Sequence, residues 1–109
     1  MGRAARPVPE GLAYKLYCIR KYLGLTQEQL IEQLQWKKTR LRTNHISEYE
    51  NGKREPPMGV VLLYARLVRL PMDVLVDDYW ELPSDMDYEL NIEIERLSPM
   101  FKEREEESE

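Results

Sequence analysis

A chain of 109 residues accommodates one small domain and a tail, and its 42% hydrophobic content suffices for one helical core. No run of about 18 apolar residues occurs, so no membrane-spanning helix is expected. The single cysteine, Cys18, excludes an internal disulfide and suits a reducing, cytoplasmic setting.

Residues 1–9 read as a short extended arm, with Pro7 and Pro9 as breakers. Arg3 and Arg6 have no apolar stretch behind them, so no secretory signal is expected. A first helix is predicted over 10–23, with Leu12, Leu16, Ile19 and Leu23 on one face and Gly24 as its left-handed stop. Cys18 reads as a small apolar core residue.

A second helix begins at Thr26. Thr26 and Gln29 have the spacing of a capping box, and Leu25 and Leu30 that of a hydrophobic staple. Leu30, Ile31 and Leu34 continue the apolar stripe to about Gln35. The connector 36–41 holds Trp36 and three cations, Lys37, Lys38 and Arg40; Leu41 is expected to face inward. Trp36 reads as packing. The cations either contact phosphates or keep a loop solvated, and their spacing does not choose.

A third helix is predicted near 43–50. Arg42 or Thr43 opens it, Thr43 being the better cap chemically. Ile46, Tyr49 and Glu50 fall at i, i+3 and i+4, and Asn51-Gly52 supplies a left-handed exit. Tyr49 is expected in the core, and Glu50 is expected to hold the helix end. A fourth helix follows Pro56-Pro57, carrying Val60, Val61, Leu63, Tyr64, Leu67 and Val68 to Leu70, where Pro71 stops it. A short fifth runs from Met72 to Asp77 or Asp78 with Val74 and Leu75 inward.

The tail, 81–101, alternates Tyr88, Leu90, Ile92 and Ile94 with Glu89, Asn91, Glu93 and Glu95. That is strand period, and such a strand can pair with its copy across a two-fold axis. Met86, Leu90, Ile94 and Leu97 also fit helical spacing, and a flexible acidic tail is the plainer alternative. Residues 102–109, KEREEESE, read as disordered.

Charge divides the chain. Residues 1–54 carry 11 Lys/Arg against 5 Asp/Glu, a net of +6. Residues 55–109 carry 5 against 15, a net of −10. The first half suits phosphate contact; the second faces away from a polyanion or toward a partner.

LTQEQL and ISEYENGK resemble the XRE-type helix-turn-helix of phage repressors and Cro-like regulators. The resemblance runs from about Ile19 to Asp77, through IRKYLGLTQ, ENGKREP and LYARLVRLPMDVLVDD. Its one departure is the gap of 20 residues from Thr26 to Ile46, longer than is usual in the family. The resemblance implies an all-α, five-helix lambda-repressor-like domain over 10–80. Here it carries an extended connector between the second and third helices and a tail containing a candidate dimerising β-strand. It also implies a DNA-binding transcriptional regulator, of bacterial or phage origin by family habit.

In such a fold the third helix presents its N-terminal residues to base edges. Those positions are Thr43, Asn44, Ser47 and Glu48. Asn44 suits adenine N6/N7, and Glu48 suits cytosine N4. The expected phosphate contacts are Gln27, Lys37, Lys38, Arg40, Arg42, His45, Lys53 and Arg54. A homodimer on double-stranded DNA follows, through Tyr88, Leu90, Ile92 and Ile94. The other functional class is an antitoxin-like or other partner-binding module whose acidic tail engages a protein. An enzyme fails on inventory: one Cys, one His, no glycine-rich phosphate loop and no clustered metal ligands. No cofactor or metal is expected.

Overall fold

The computed structural model describes residues 9–87. Among them are five α-helices: α1 (Leu12–Leu23), α2 (Gln27–Leu34), α3 (Thr43–Glu50), α4 (Met58–Leu67) and α5 (Met72–Val76). A single 3-10 turn, Ser84–Met86, follows. The expected strand, with Tyr88, Leu90, Ile92 and Ile94, lies outside the described residues.

The five helices enclose one core. Leu16 and Ile19 of α1, Leu30 and Leu34 of α2, and Ile46 of α3 meet Val60 and Tyr64 of α4 and Leu75 of α5. Each is fully or almost fully buried. Burying a side chain of this size contributes about 1.5–3 kcal/mol, so this cluster outweighs any surface term. Cys18 and Tyr49 are buried as the sequence implies. Burial, with the charge of Glu50 next, pushes the Tyr64 phenol far above its ordinary value. Among the described residues its buried hydroxyl has no hydrogen-bond partner, so the ring contributes by filling the core.

Local chemistry sets most helix ends. Thr26 Oγ1 accepts from Gln29 N–H at 3.1 Å, and Gln29 Oε1 accepts from Thr26 N–H at 2.9 Å. That is the expected capping box, and α2 begins at the next residue. Gly24 and Gly52 take φ 69° and 74°. Beyond α1, Leu25 N–H donates to Arg20 O; beyond α3, Lys53 N–H donates to Glu48 O. Both are the closing bond of a Schellman turn.

Other ends differ from expectation. Helix α2 stops at Leu34 because Gln35 itself turns left-handed, φ 52°. Helix α4 stops at Leu67, three residues before Leu70: Arg69 is left-handed, φ 57°, and Leu70 N–H donates to Ala65 O. The stop is thus a Schellman turn built on a non-glycine residue rather than on Pro71. Helix α5 ends at Val76. Helix α1 starts at Leu12 rather than at residue 10, because the amides of Glu10 and Gly11 are taken by a distant carboxylate. Asp78 Oδ2 and Oδ1 accept from them at 2.9 Å each.

Asp78 acts as an N-cap supplied from 67 residues away to a helix with no acidic residue in its first turn. The two backbone hydrogen bonds, from Gly11 and then Glu10, hold its carboxyl below the ordinary 3.8. A depressed folded value means the stabilisation is complete above the ordinary value and is lost as pH falls through the folded one. Thermal unfolding at stepwise pH is therefore expected to show Asp78→Ala destabilised at neutral pH. The gap from wild type should close as pH falls below the carboxylate range. A gap that stays constant into acid would exclude a charge-dependent cap.

Candidate nucleic-acid interface

Helix α3 lies against α1 and α2. Its inner face is Ile46 and Tyr49, both buried. On an α-helix Thr43, Asn44, Ser47 and Glu48 fall opposite that pair. Thr43 and Asn44 are exposed, and Ser47 and Glu48 are partly exposed. The four sequence-predicted base readers thus share one outward face.

The helix starts at Thr43, one of the two residues the sequence offered, and only the preferred cap is corrected. Arg42, not Thr43, is the N-cap residue, extended at φ −125° and ψ 163°, and Thr43 is already helical. An arginine side chain has no acceptor for a first-turn amide. The cap runs the other way: His45 Nδ1 accepts from Arg42 N–H at 3.1 Å. With Nδ1 accepting, the ring proton sits on Nε2, leaving His45 a donor at the helix start. His45 is only partly exposed.

The exit of α3 is tied back to its outer face. Arg54 Nε donates to Glu48 Oε2 at 2.6 Å, with side chains 54% and 32% exposed. A residue expected at a base and one expected at a phosphate therefore hold each other, leaving Glu48 Oε1 as the remaining carboxylate acceptor. Lys53 beside them is exposed. At the other end Lys37, Lys38, Arg40 and Arg42 are exposed. Cations thus flank α3 at both termini.

One residue that the sequence reading passed over, Arg20, holds this helix in place. Arg20 of α1 makes a two-pronged ion pair with Glu50, Nε to Oε2 at 2.7 Å and Nη2 to Oε1 at 2.9 Å. Its Nη1 donates to Leu25 O at 3.0 Å. Bonding to Glu50 raises the Arg20 guanidinium above its ordinary value, against the opposing effect of burial. Glu50 is thus a tether for the helix end, as expected, but its partner is thirty residues away. Gln27, at the first position of α2, points at the same pair, with Nε2 3.5 Å from Glu50 Oε1.

The signal for this pair was present in outline. Glu50 lies four residues after buried Ile46, and Arg20 four after buried Leu16. Charges at core spacing need partners.

A family model described as helix-turn-helix matches residues 19–75, just over half the chain. The chain belongs to the XRE/Cro-like helix-turn-helix family. The matched span begins at Ile19 in α1 and ends at Leu75 in α5, so it takes in α2, the long connector and α3 whole. A helix-turn-helix protein is, in general terms, a DNA-binding regulator. No curated protein matches the chain, and no solved structure does. Among the described residues no helix is long and apolar enough to cross a membrane.

Proposed function

We propose that this helix-turn-helix protein is a sequence-specific double-stranded DNA-binding transcriptional regulator, acting as a dimeric repressor. The observation that carries the reading is α3: one outward face of Thr43, Asn44, Ser47 and Glu48, flanked at both ends by exposed cations.

In this reading α3 enters the major groove with its N-terminal half on base edges. Asn44 pairs with adenine N6/N7, Glu48 Oε1 accepts from cytosine N4, and Thr43 and Ser47 make lesser polar contacts. Arg42, His45 through Nε2–H, Lys53 and Arg54 take phosphates, with Gln27 at the start of α2. The pairing of Arg54 with Glu48 orients both side chains before DNA arrives. Two copies joined by their tails read two half-sites, and occupancy blocks transcription by exclusion.

Selection of sites from a random duplex pool, read by sequencing, tests this directly. A two-fold symmetric motif with half-sites about 10 base pairs apart is expected. Binding without any enriched sequence would sink the reading. With the motif in hand, Asn44→Ala is expected to cost about 1–3 kcal/mol and to relax one base position. Lys53→Ala is expected to weaken all sequences alike and flatten the salt slope by about 1. An Asn44→Ala protein with unchanged sequence preference would remove Asn44 from the base-reading set.

A second reading, a partner-binding module, is favoured by one feature. Tyr79 is 99% exposed and Trp80 47% exposed, on a turn that is held tightly. Tyr79 N–H donates to Asp77 Oδ1 at 2.9 Å, and Trp80 O accepts from Lys15 Nζ at 2.7 Å. Rigidly presented aromatics are typical interface anchors. Asp73, Asp77, Asp78 and Glu81 nearby in the chain suit a basic partner. Co-purification with the product of an adjacent gene, for instance a toxin or a metalloprotease, separates this reading from the first.

A further inference from the structure

Helix α4 contains a glycine that its backbone does not require. Gly59 is outside the left-handed region, unlike Gly24 and Gly52. A glycine within a helix is destabilising relative to alanine, so it needs another reason. Its space supplies one: a Cβ added at Gly59 would lie 2.7 Å from Cζ3 and 3.0 Å from Cη2 of Trp36. The indole of the α2–α3 connector fills the place of the missing side chain.

Trp36 is fixed from its own side as well. Its Nε1–H donates to Thr39 Oγ1 at 2.9 Å, and the Lys38 ammonium lies 5.9 Å from the ring centroid. Before it, left-handed Gln35 turns the chain sharply out of α2. After it, Leu41 packs against the core. The connector is fastened at Trp36 and at Leu41, and between them Lys37, Lys38, Thr39 and Arg40 stand exposed. A loop whose charges serve only solubility needs no such anchorage.

We propose that the α2–α3 connector is a pre-organised arm for the DNA phosphate backbone, and that Gly59 and Trp36 are the positioning residues that lock it onto α4. The proposal rests on the DNA-binding reading above. The lock holds Lys37, Lys38 and Arg40 in one arrangement beside α3. The ordering cost of a connector of this length is then met on folding rather than on binding. The arm adds phosphate contacts to those made by α3 and so steepens the dependence of affinity on salt, each contact by about 0.9 in the logarithmic slope.

The test uses the full chain and a duplex of fixed sequence, with binding followed by anisotropy over a range of KCl. Neutralising the arm, as Lys37→Ala/Lys38→Ala/Arg40→Ala, is expected to reduce the slope by about 2 to 3. Gly59→Ala keeps every cation but collides with the indole. It is expected to reduce the slope by at least about 1 and to weaken binding several-fold. The chain has two tryptophans, so two indole N–H signals report on the lock. The Trp36 signal is expected to shift and exchange faster in Gly59→Ala while the Trp80 signal stays.

Trp36→Phe lacks the distal ring carbons that meet the added Cβ. Combined with Gly59→Ala it is expected to restore part of the slope, which a folding defect would not do. A Gly59→Ala protein with the wild-type slope would overturn the lock. A triple variant with the wild-type slope would overturn the arm. Either result leaves α3 as a DNA reader untouched. Wild-type protein that binds no duplex would overturn the DNA-binding reading, and this proposal with it.

Discussion

Replacing Glu50 with alanine is expected to cost about 3–5 kcal/mol of folding stability. The Glu50 and Arg20 side chains are only 6% and 11% exposed. Removing the carboxylate leaves a largely buried guanidinium with Leu25 O as its remaining acceptor among the described residues. An uncompensated buried charge is among the few single changes that cost this much. Small domains have about 5–15 kcal/mol in total, so the loss takes a large share of the stability and a marked drop in thermal midpoint is expected.

The pair itself is a different matter from the loss of one partner. Desolvating two charges offsets most of their attraction, so a well-packed apolar replacement is often neutral or stabilising. The double variant Arg20→Met/Glu50→Leu is therefore expected to recover most or all of what Glu50→Ala loses. Urea unfolding of the wild type, both single variants and the double gives the coupling. A loss under about 1 kcal/mol for Glu50→Ala would mean water reaches the pair and that it behaves as a surface ion pair. The pair joins α1 to α3, and its bond to Leu25 O adds the α1–α2 turn. It is thus the polar fastening of the helix expected in the groove.

What was legible in the sequence divides by distance along the chain. The cap at Thr26 and Gln29 and the stops at Gly24 and Gly52 are fixed within a few residues. Their chemistry is complete in a short window, and these features stand where they were expected. The outward face of α3 was legible for the same reason: Ile46 and Tyr49 set which side is buried. Arg69 and Gln35 escaped because a left-handed arginine or glutamine carries no local mark. The start of α3 at Thr43 lay within the two residues offered, but the cap fell to Arg42 rather than to the chemically better Thr43, because the long connector sets how the chain arrives.

Contacts across the fold were not legible as pairs, even where core spacing marked a charge as needing a partner. Asp78 on Gly11, Lys15 on the end of α5, Arg20 on Glu50 and Trp36 on Gly59 depend on which helices meet, and topology is not written in any one window. Within the site, Glu48 and Arg54 were read as two separate contacts to DNA. Six residues apart across a helix exit, they are one ion pair, because the Gly52 turn folds the chain back along α3.

Lys15→Met is the second large effect. Lys15 Nζ donates to three carbonyls, Val74 O at 2.7 Å, Asp77 O at 2.9 Å and Trp80 O at 2.7 Å. Such charge-assisted bonds contribute about 1.5–3 kcal/mol each, but their sum overstates the loss. Burial pulls the Lys15 ammonium below its ordinary value, against the pull of Asp78, Asp77 and Glu81. Part of what the bonds provide is therefore spent on desolvation, and methionine, of similar length, is relieved of it.

A net loss of about 2–4 kcal/mol is expected, roughly 10–25 °C in thermal midpoint for a domain of this size. A shift of only a few degrees would mean that water takes over the three carbonyls. The placement of Lys15 explains why the effect is large. Asp78, beyond α5, caps the start of α1, while Lys15, on α1, closes the end of α5. Each helix terminus receives the charge its dipole favours from the other element. Five residues further along, Arg20 fixes α1 to α3. Helix α1 thus ties the acidic turn at 77–81 to the helix proposed to read DNA, and loosening Lys15 is expected to free one end of that tie.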